Sequence, residues 1–107
     1  MNKLFTAEYT NEALEQAEKL EERQRLKLYK AVGTFEQVGA QYKNLNNLGN
    51  GLYELKPDKV RAYFKYHQNR VIIIGLVVLK KSQKAPKYFI EQADKNIERY
   101  LQERHCK

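Results

Sequence analysis

Nine consecutive residues, Val71 to Leu79, read VIIIGLVVL and carry no polar side chain. Six of the nine are β-branched, which favours a strand over a helix. The run is far short of the ~20 apolar residues that a membrane-crossing helix requires. A strand that is apolar on both faces belongs at the centre of a sheet or at its best-covered position. The rest of the chain has to supply its neighbours and its covers.

Two strand-like runs precede it. LYELK is closed by Pro57-Asp58-Lys59, and VRAYFKY is closed by His67-Gln68-Asn69-Arg70. Loops this short join antiparallel neighbours, so the three runs predict a meander. Strand alternation points Val60, Ala62, Phe64 and Tyr66 one way and Arg61, Tyr63 and Lys65 the other. One face is thus apolar and the other cationic, with an aromatic between the charges. NNLGNG (Asn46 to Gly51) reads as a turn cluster.

Upstream, Thr10 or Asn11 can cap a helix with apolar positions Ala13, Leu14, Ala17 and Leu20. A second helix is predicted from about Glu22 to Tyr42, with the stripe Leu28, Val32, Phe35, Val38, Tyr42 at core-facing spacing. KLFTAEY can add an edge strand. Pro86 suits the first position of a final helix, whose stripe is Ile90, Ala93, Ile97, Tyr100 and Leu101. Arg99, Arg104 and Lys107 suit the negative end of its dipole. The expectation is one α+β domain over residues 1–107: two N-terminal helices, an antiparallel β-meander and a C-terminal helix, with the helices on one face of the sheet.

Charge is where this chain departs from the ordinary. The net charge is +7, and residues 52–88 hold nine cations against Glu54 and Asp58. Residues 1–51 hold seven cations and seven acids, and residues 89–107 hold four of each. An excess confined to one third of the chain focuses a field and favours a polyanion such as RNA, DNA or an acidic protein segment. The single cysteine, Cys106, allows no internal disulfide. The N-terminus has no apolar stretch of signal-peptide length, so a cytoplasmic location is expected, with no membrane partner. His67 and His105 are far apart and no Cys/His cluster exists, so neither a metal nor a cofactor is expected.

What remains is a set of cations and tyrosines with one carboxylate. Arg61, Tyr63 and Lys65 on a sheet face can hold phosphates and stack bases. Cleaving RNA asks for a base on the ribose 2′-OH, cations on the pentavalent phosphate and an acid for the 5′-oxygen. Glu54, Tyr88 or a lysine can supply the base or acid, and Arg61 with Lys80 or Lys81 the charge stabilisation. Glu54 can equally be an ordinary partner of Lys56 or Lys59.

At LGNGLYELK, then VRAYFKY, then the β-branched strand running into LKKSQKAP, the chain resembles the HigB-like, phage-derived branch of the RelE toxin superfamily. The resemblance covers about residues 45–100. It implies the toxin of a type II toxin–antitoxin pair, a ribosome-dependent mRNA endonuclease that needs no metal. A small HigA-like, helix-turn-helix antitoxin would silence it, and ribosome and mRNA would be its other partners. Carried over, Glu54 is the Glu of the Leu-Tyr-Glu-Leu motif, and Lys56 stands where an Arg is usual. Arg61 is the strand arginine expected at the scissile phosphate. Lys80, Lys81 and Lys84 form the lysine loop, with Lys87 just beyond, and Ala85 stands where a Ser/Thr often caps the last helix. Tyr88 lies near a catalytic tyrosine of some RelE relatives. Two other readings use the same charge: a non-cleaving RNA-binding or regulatory protein, and a phage adaptor with a basic docking face.

Overall fold

The computed structural model describes residues 3–68, 70–80 and 86–105, with only the backbone of His105. The chain runs β1 (Thr6–Tyr9), α1 (Asn11–Glu18), α2 (Glu22–Val38), a 3₁₀ turn (Gly39–Gln41), β2 (Leu45–Gly49), β3 (Leu52–Leu55), β4 (Val60–His67), β5 (Val71–Leu79) and α3 (Lys87–His105). The five strands form one sheet in the order β1-β5-β4-β3-β2. The chain is an α+β protein with a five-stranded sheet and three helices.

β5 lies where its composition requires, between β1 and β4, with Ile72 to Val77 buried. Ile72, Ile74 and Val77 face a core built with Ala13, Ala17, Leu28, Val32 and Phe35 of α1 and α2. Ile73 and Leu76 face a second core with Tyr63 and with Ala93 and Ile97 of α3. The helices therefore cover both sheet faces, not one. An apolar strand with only one covered face would leave half its side chains in water.

Gly75 makes the double cover possible. Phe64 pairs with Ile74 while Tyr63 pairs with Leu76, so Gly75 is the extra residue of a bulge that reverses the alternation of β5. A Cβ here would lie 2.6 Å from Ile97 Cγ1 and 2.7 Å from the Ala93 carbonyl oxygen. Only hydrogen lets α3 come so close. Asn96, buried in α3, donates from Nδ2 to the Gly75 oxygen at 2.8 Å. From the other side of the sheet, Thr10 donates to the same oxygen at 3.4 Å and accepts from the Ala13 N–H at 3.1 Å as the N-cap of α1.

Four further expectations need correction. NNLGNG is not all turn: Leu45–Gly49 is an edge strand, and the reversal is confined to Asn50-Gly51, both at positive φ (54° and 82°). The meander thus has four strands. KLFTAEY does add an edge strand, and it runs parallel to β5. α2 stops at Val38, where Gly39 turns to φ +60°, so Tyr42 lies beyond it. Pro86 stands one place before the first residue of α3, its carbonyl accepting from the N–H groups of Phe89 and Ile90. The C-terminal half of α3 is tied to the start of the chain, Arg99 to Glu12 at 2.6 Å and Arg104 to Glu8.

Candidate functional site

The face of the sheet under α3 is only partly covered. Phe89, in the first turn of the helix, packs edge-on against Tyr63 with ring centroids 6.4 Å apart. Two residues earlier on β4, Arg61 lies in a cleft of about 370 Å³ lined by Asn44, Asn46, Glu54, Lys56, Asp58, Arg61 and Lys80. The lining draws on four segments. Asn44 and Asn46 come from β2 and its approach, Glu54 and Lys56 from β3 and its exit, Asp58 and Arg61 from the turn and start of β4. Lys80 directly follows β5, its backbone N–H donating to the Lys59 carbonyl at 2.6 Å.

Local sequence sets the arginine. The Pro57-Asp58-Lys59 turn takes Asp58 to φ +55°, a region that Asp tolerates better than most residues. That turn aims the Asp58 carbonyl back at the new strand. Arg61 Nη1 donates to the Asp58 and Val60 carbonyls, each at 2.8 Å. Its Nε lies 3.9 Å from Glu54 Oε2, an ion pair rather than a hydrogen bond. Both side chains are about nine-tenths buried, at 10% and 7% exposure.

Glu54 is held from its other sides by cross-strand neighbours. Asn46 faces it across β2–β3, and Tyr63 faces it across β3–β4. Asn46 Nδ2 donates to Glu54 Oε1 at 3.3 Å, and Tyr63 stands across from the carboxylate on β4. Burial first, then the charge of Glu54, holds the Tyr63 phenol well above the usual tyrosine range. The second carboxylate, Asp58, faces away toward α2, where Lys27 Nζ lies 2.8 Å from its Oδ2. That hydrogen bond and charge hold the Asp58 carboxyl below its usual range. The cleft thus offers three cationic groups, Lys56, Arg61 and Lys80, with its inner carboxylate already engaged. Such a lining suits a phosphate or another compact anion.

Arg61, Glu54, Lys56 and Lys80 are therefore together. Tyr63 borders them but is 1% exposed beneath α3, so its ring is not a stacking surface for bases. Lys65 is not at the cleft: its Nζ lies 2.8 Å from Asp94 Oδ1 on α3. The cationic strand face expected from alternation is thus largely filled by the helix. Arg70 is exposed in the β4–β5 turn, at the opposite end of the strands from Lys80. Lys87 is exposed at the start of α3, and Tyr88, 68% exposed, packs on Phe89 at 5.5 Å without lining the cleft. Lys81 and Lys84, like Ala85, lie outside the described residues. Sequence reasoning missed Asn44, Asn46 and Asp58. Asn50-Gly51 carried the signal, because a hairpin there puts Asn46 opposite Glu54.

Fold and cleft together define the class: an α+β protein with a partly helix-covered sheet and a cationic pocket at the uncovered end. Residues 15–98 match the family described as Phage derived protein Gp49-like (DUF891), and the chain belongs to that family. Among solved structures, it is similar to a chain of the toxin–antitoxin complex RelBE2 from Mycobacterium tuberculosis. The TM-score is 0.61 and the identity 16%, over 71% of this chain and 98% of that one. At that identity the likeness is one of fold. No curated protein matches the sequence. Among the described residues no helix is long and apolar enough to cross a membrane.

Proposed function

We propose that this chain is the toxin of a type II toxin–antitoxin pair, of the HigB-like branch, and that it cleaves mRNA on the ribosome without a metal. The observation that carries the reading is the cleft, where Arg61, Lys56 and Lys80 converge from three segments around Glu54. That cleft lies on a fold shared with a chain of a toxin–antitoxin complex. The ribose 2′-oxygen attacks the adjacent phosphorus as a base removes its proton. The bond to the 5′-oxygen breaks, and an acid protonates that oxygen as it leaves. Arg61, with Lys80, stabilises the charge that develops on the phosphorane. Lys56, Lys87 and the lysines at 81 and 84 hold flanking phosphates. The partners are ribosome, mRNA and a HigA-like antitoxin whose acidic or apolar side chains cover the cleft.

The test is expression in a bacterium, with growth measured and mRNA ends mapped by primer extension, beside a ribosome-binding assay. The unmutated chain arrests growth and produces new mRNA ends. Arg61→Ala loses on the order of 10²–10³ in cleavage, because one preorganised stabiliser of the transition state is gone. It keeps much of its ribosome affinity through the remaining cations. Lys56→Ala or Lys80→Ala flattens the slope of log affinity against log salt by about one each. Ribosome or RNA binding with no arrest and no cleavage in several hosts replaces the enzyme with a non-cleaving RNA-binding protein. The exposed position of Tyr88, off the cleft lining, is the observation that favours that second reading.

A further inference from the structure

Glu54 is the one carboxylate on the α3 side of the cleft and the obvious choice for the base that takes the 2′-OH proton. Its surroundings argue for a different task. The residue is 5% exposed, and three protein groups converge on its carboxylate. Asn46 donates to Oε1 at 3.3 Å, Tyr63 faces it across β3–β4, and Arg61 Nε stands 3.9 Å from Oε2. A base has to reach its proton at about 2.6–3.2 Å, so a substrate would have to displace these neighbours.

Proton transfer to Glu54 would also leave the Arg61 guanidinium nine-tenths buried without its counter-charge, which is costly for a buried pair. Among the described residues, the other tethers of Arg61 are the neutral carbonyls of Asp58 and Val60. Each protein contact of the carboxylate therefore serves to fix its place, and its place fixes the arginine.

We propose that Glu54 is a positioning residue for Arg61 and not the general base. Asn46 holds the carboxylate from β2, and the carboxylate with the Asp58 carbonyl holds the guanidinium in one orientation for a phosphate. The chain of support runs Asn46, to Glu54, to Arg61, across three adjacent strands. It rests on the mRNA-cleavage reading for its catalytic consequence, while its structural half stands without it. The base is then a group other than Glu54.

The experiment compares Glu54→Gln, Glu54→Ala, Asn46→Ala and Arg61→Ala by two measurements. The first is cleavage of ribosome-bound mRNA as a function of pH. Glu54→Gln keeps the shape and the Asn46 contact but loses the charge that pairs with Arg61. Its rate therefore falls between those of the unmutated chain and Glu54→Ala, with the same pH profile. Glu54→Ala falls by the ~10²–10³ of Arg61→Ala, and the double variant falls no further, as residues acting as one unit do. Asn46→Ala falls severalfold with an unchanged profile. If Glu54→Gln is as inactive as Glu54→Ala and the limb of the pH profile that reports the base disappears, Glu54 is the base and the proposal is overturned.

The second measurement needs no cleavage: the NMR order parameter of the Arg61 Nε–H bond. It is high in the unmutated chain, lower in Glu54→Gln and lowest in Glu54→Ala, with folding checked by circular dichroism. An order parameter that does not change in folded Glu54→Ala refutes the positioning role even if the protein is a nuclease. An unmutated chain that cuts nothing, yet loses Arg61 order in Glu54→Ala, sinks the nuclease reading and keeps the positioning one.

Discussion

Arg61 and Lys65 lie four residues apart on the same face of β4, and they end in opposite circumstances. Arg61 is nine-tenths buried beside an equally buried carboxylate, at the mouth of a cleft. Lys65 is about one-third exposed and pairs with Asp94, itself 36% exposed, on the flank of α3. Nothing in VRAYFKY separates the two. The difference is the partner each one meets: Asp94 of α3 pairs with Lys65, while Arg61 pairs with Glu54 of β3 and lines the cleft. The first cation is taken up by the helix, and the second, though more deeply buried, borders the space a ligand would enter.

The sharpest way to break this comparison is to remove each cation and measure stability. Arg61→Ala leaves Glu54 buried without its ion pair and costs on the order of 3–5 kcal/mol in urea unfolding. If it costs no more than Lys65→Ala, the buried pair is not the structural unit described here. The next effect comes from the helix itself. Gly75→Ala puts a methyl against the Ala93 carbonyl and Ile97, so α3 must lift or shift. It costs about 1–3 kcal/mol and raises the solvent exposure of Tyr63, measurable by tyrosine fluorescence quenching. A neutral Gly75→Ala would mean that α3 is not seated as closely as the bulge allows. The smallest effect belongs to Lys65→Ala. A partly exposed pair contributes less than about 1 kcal/mol, and this variant leaves the proposed mRNA cleavage near the rate of the unmutated chain.

Much of the fold could be read before any coordinates. VIIIGLVVL marked the best-covered strand, though the helices were expected on one face only, and Pro57-Asp58-Lys59 and His67 to Arg70 marked the hairpins. Thr10 was legible as a cap, because a side chain that accepts from an N–H three residues on is a local matter. The concentration of positive charge in residues 52–88 was equally plain. The edge strand Leu45–Gly49 was not, because two asparagines and a glycine have weak strand propensity and are held there by pairing with β3.

What the sequence determined by itself were properties of period and composition: β5 as a two-sided apolar strand, the alternation of β4, the short reversals and the cationic third of the chain. Each depends on residues within a few positions of one another. Which of the nine cations share a site was decided only by the tertiary structure. Lys56, Arg61 and Lys80 meet because strands β3, β4 and β5 are in register at one end. Arg70 is at the other end for the same reason, and Lys65 is taken up by a helix that lies nearly thirty residues further along the chain. The seat of that helix is set by a missing side chain at Gly75 and a buried amide at Asn96. Contacts of that kind depend on three-dimensional proximity, and no local pattern of hydrophobicity or charge encodes them.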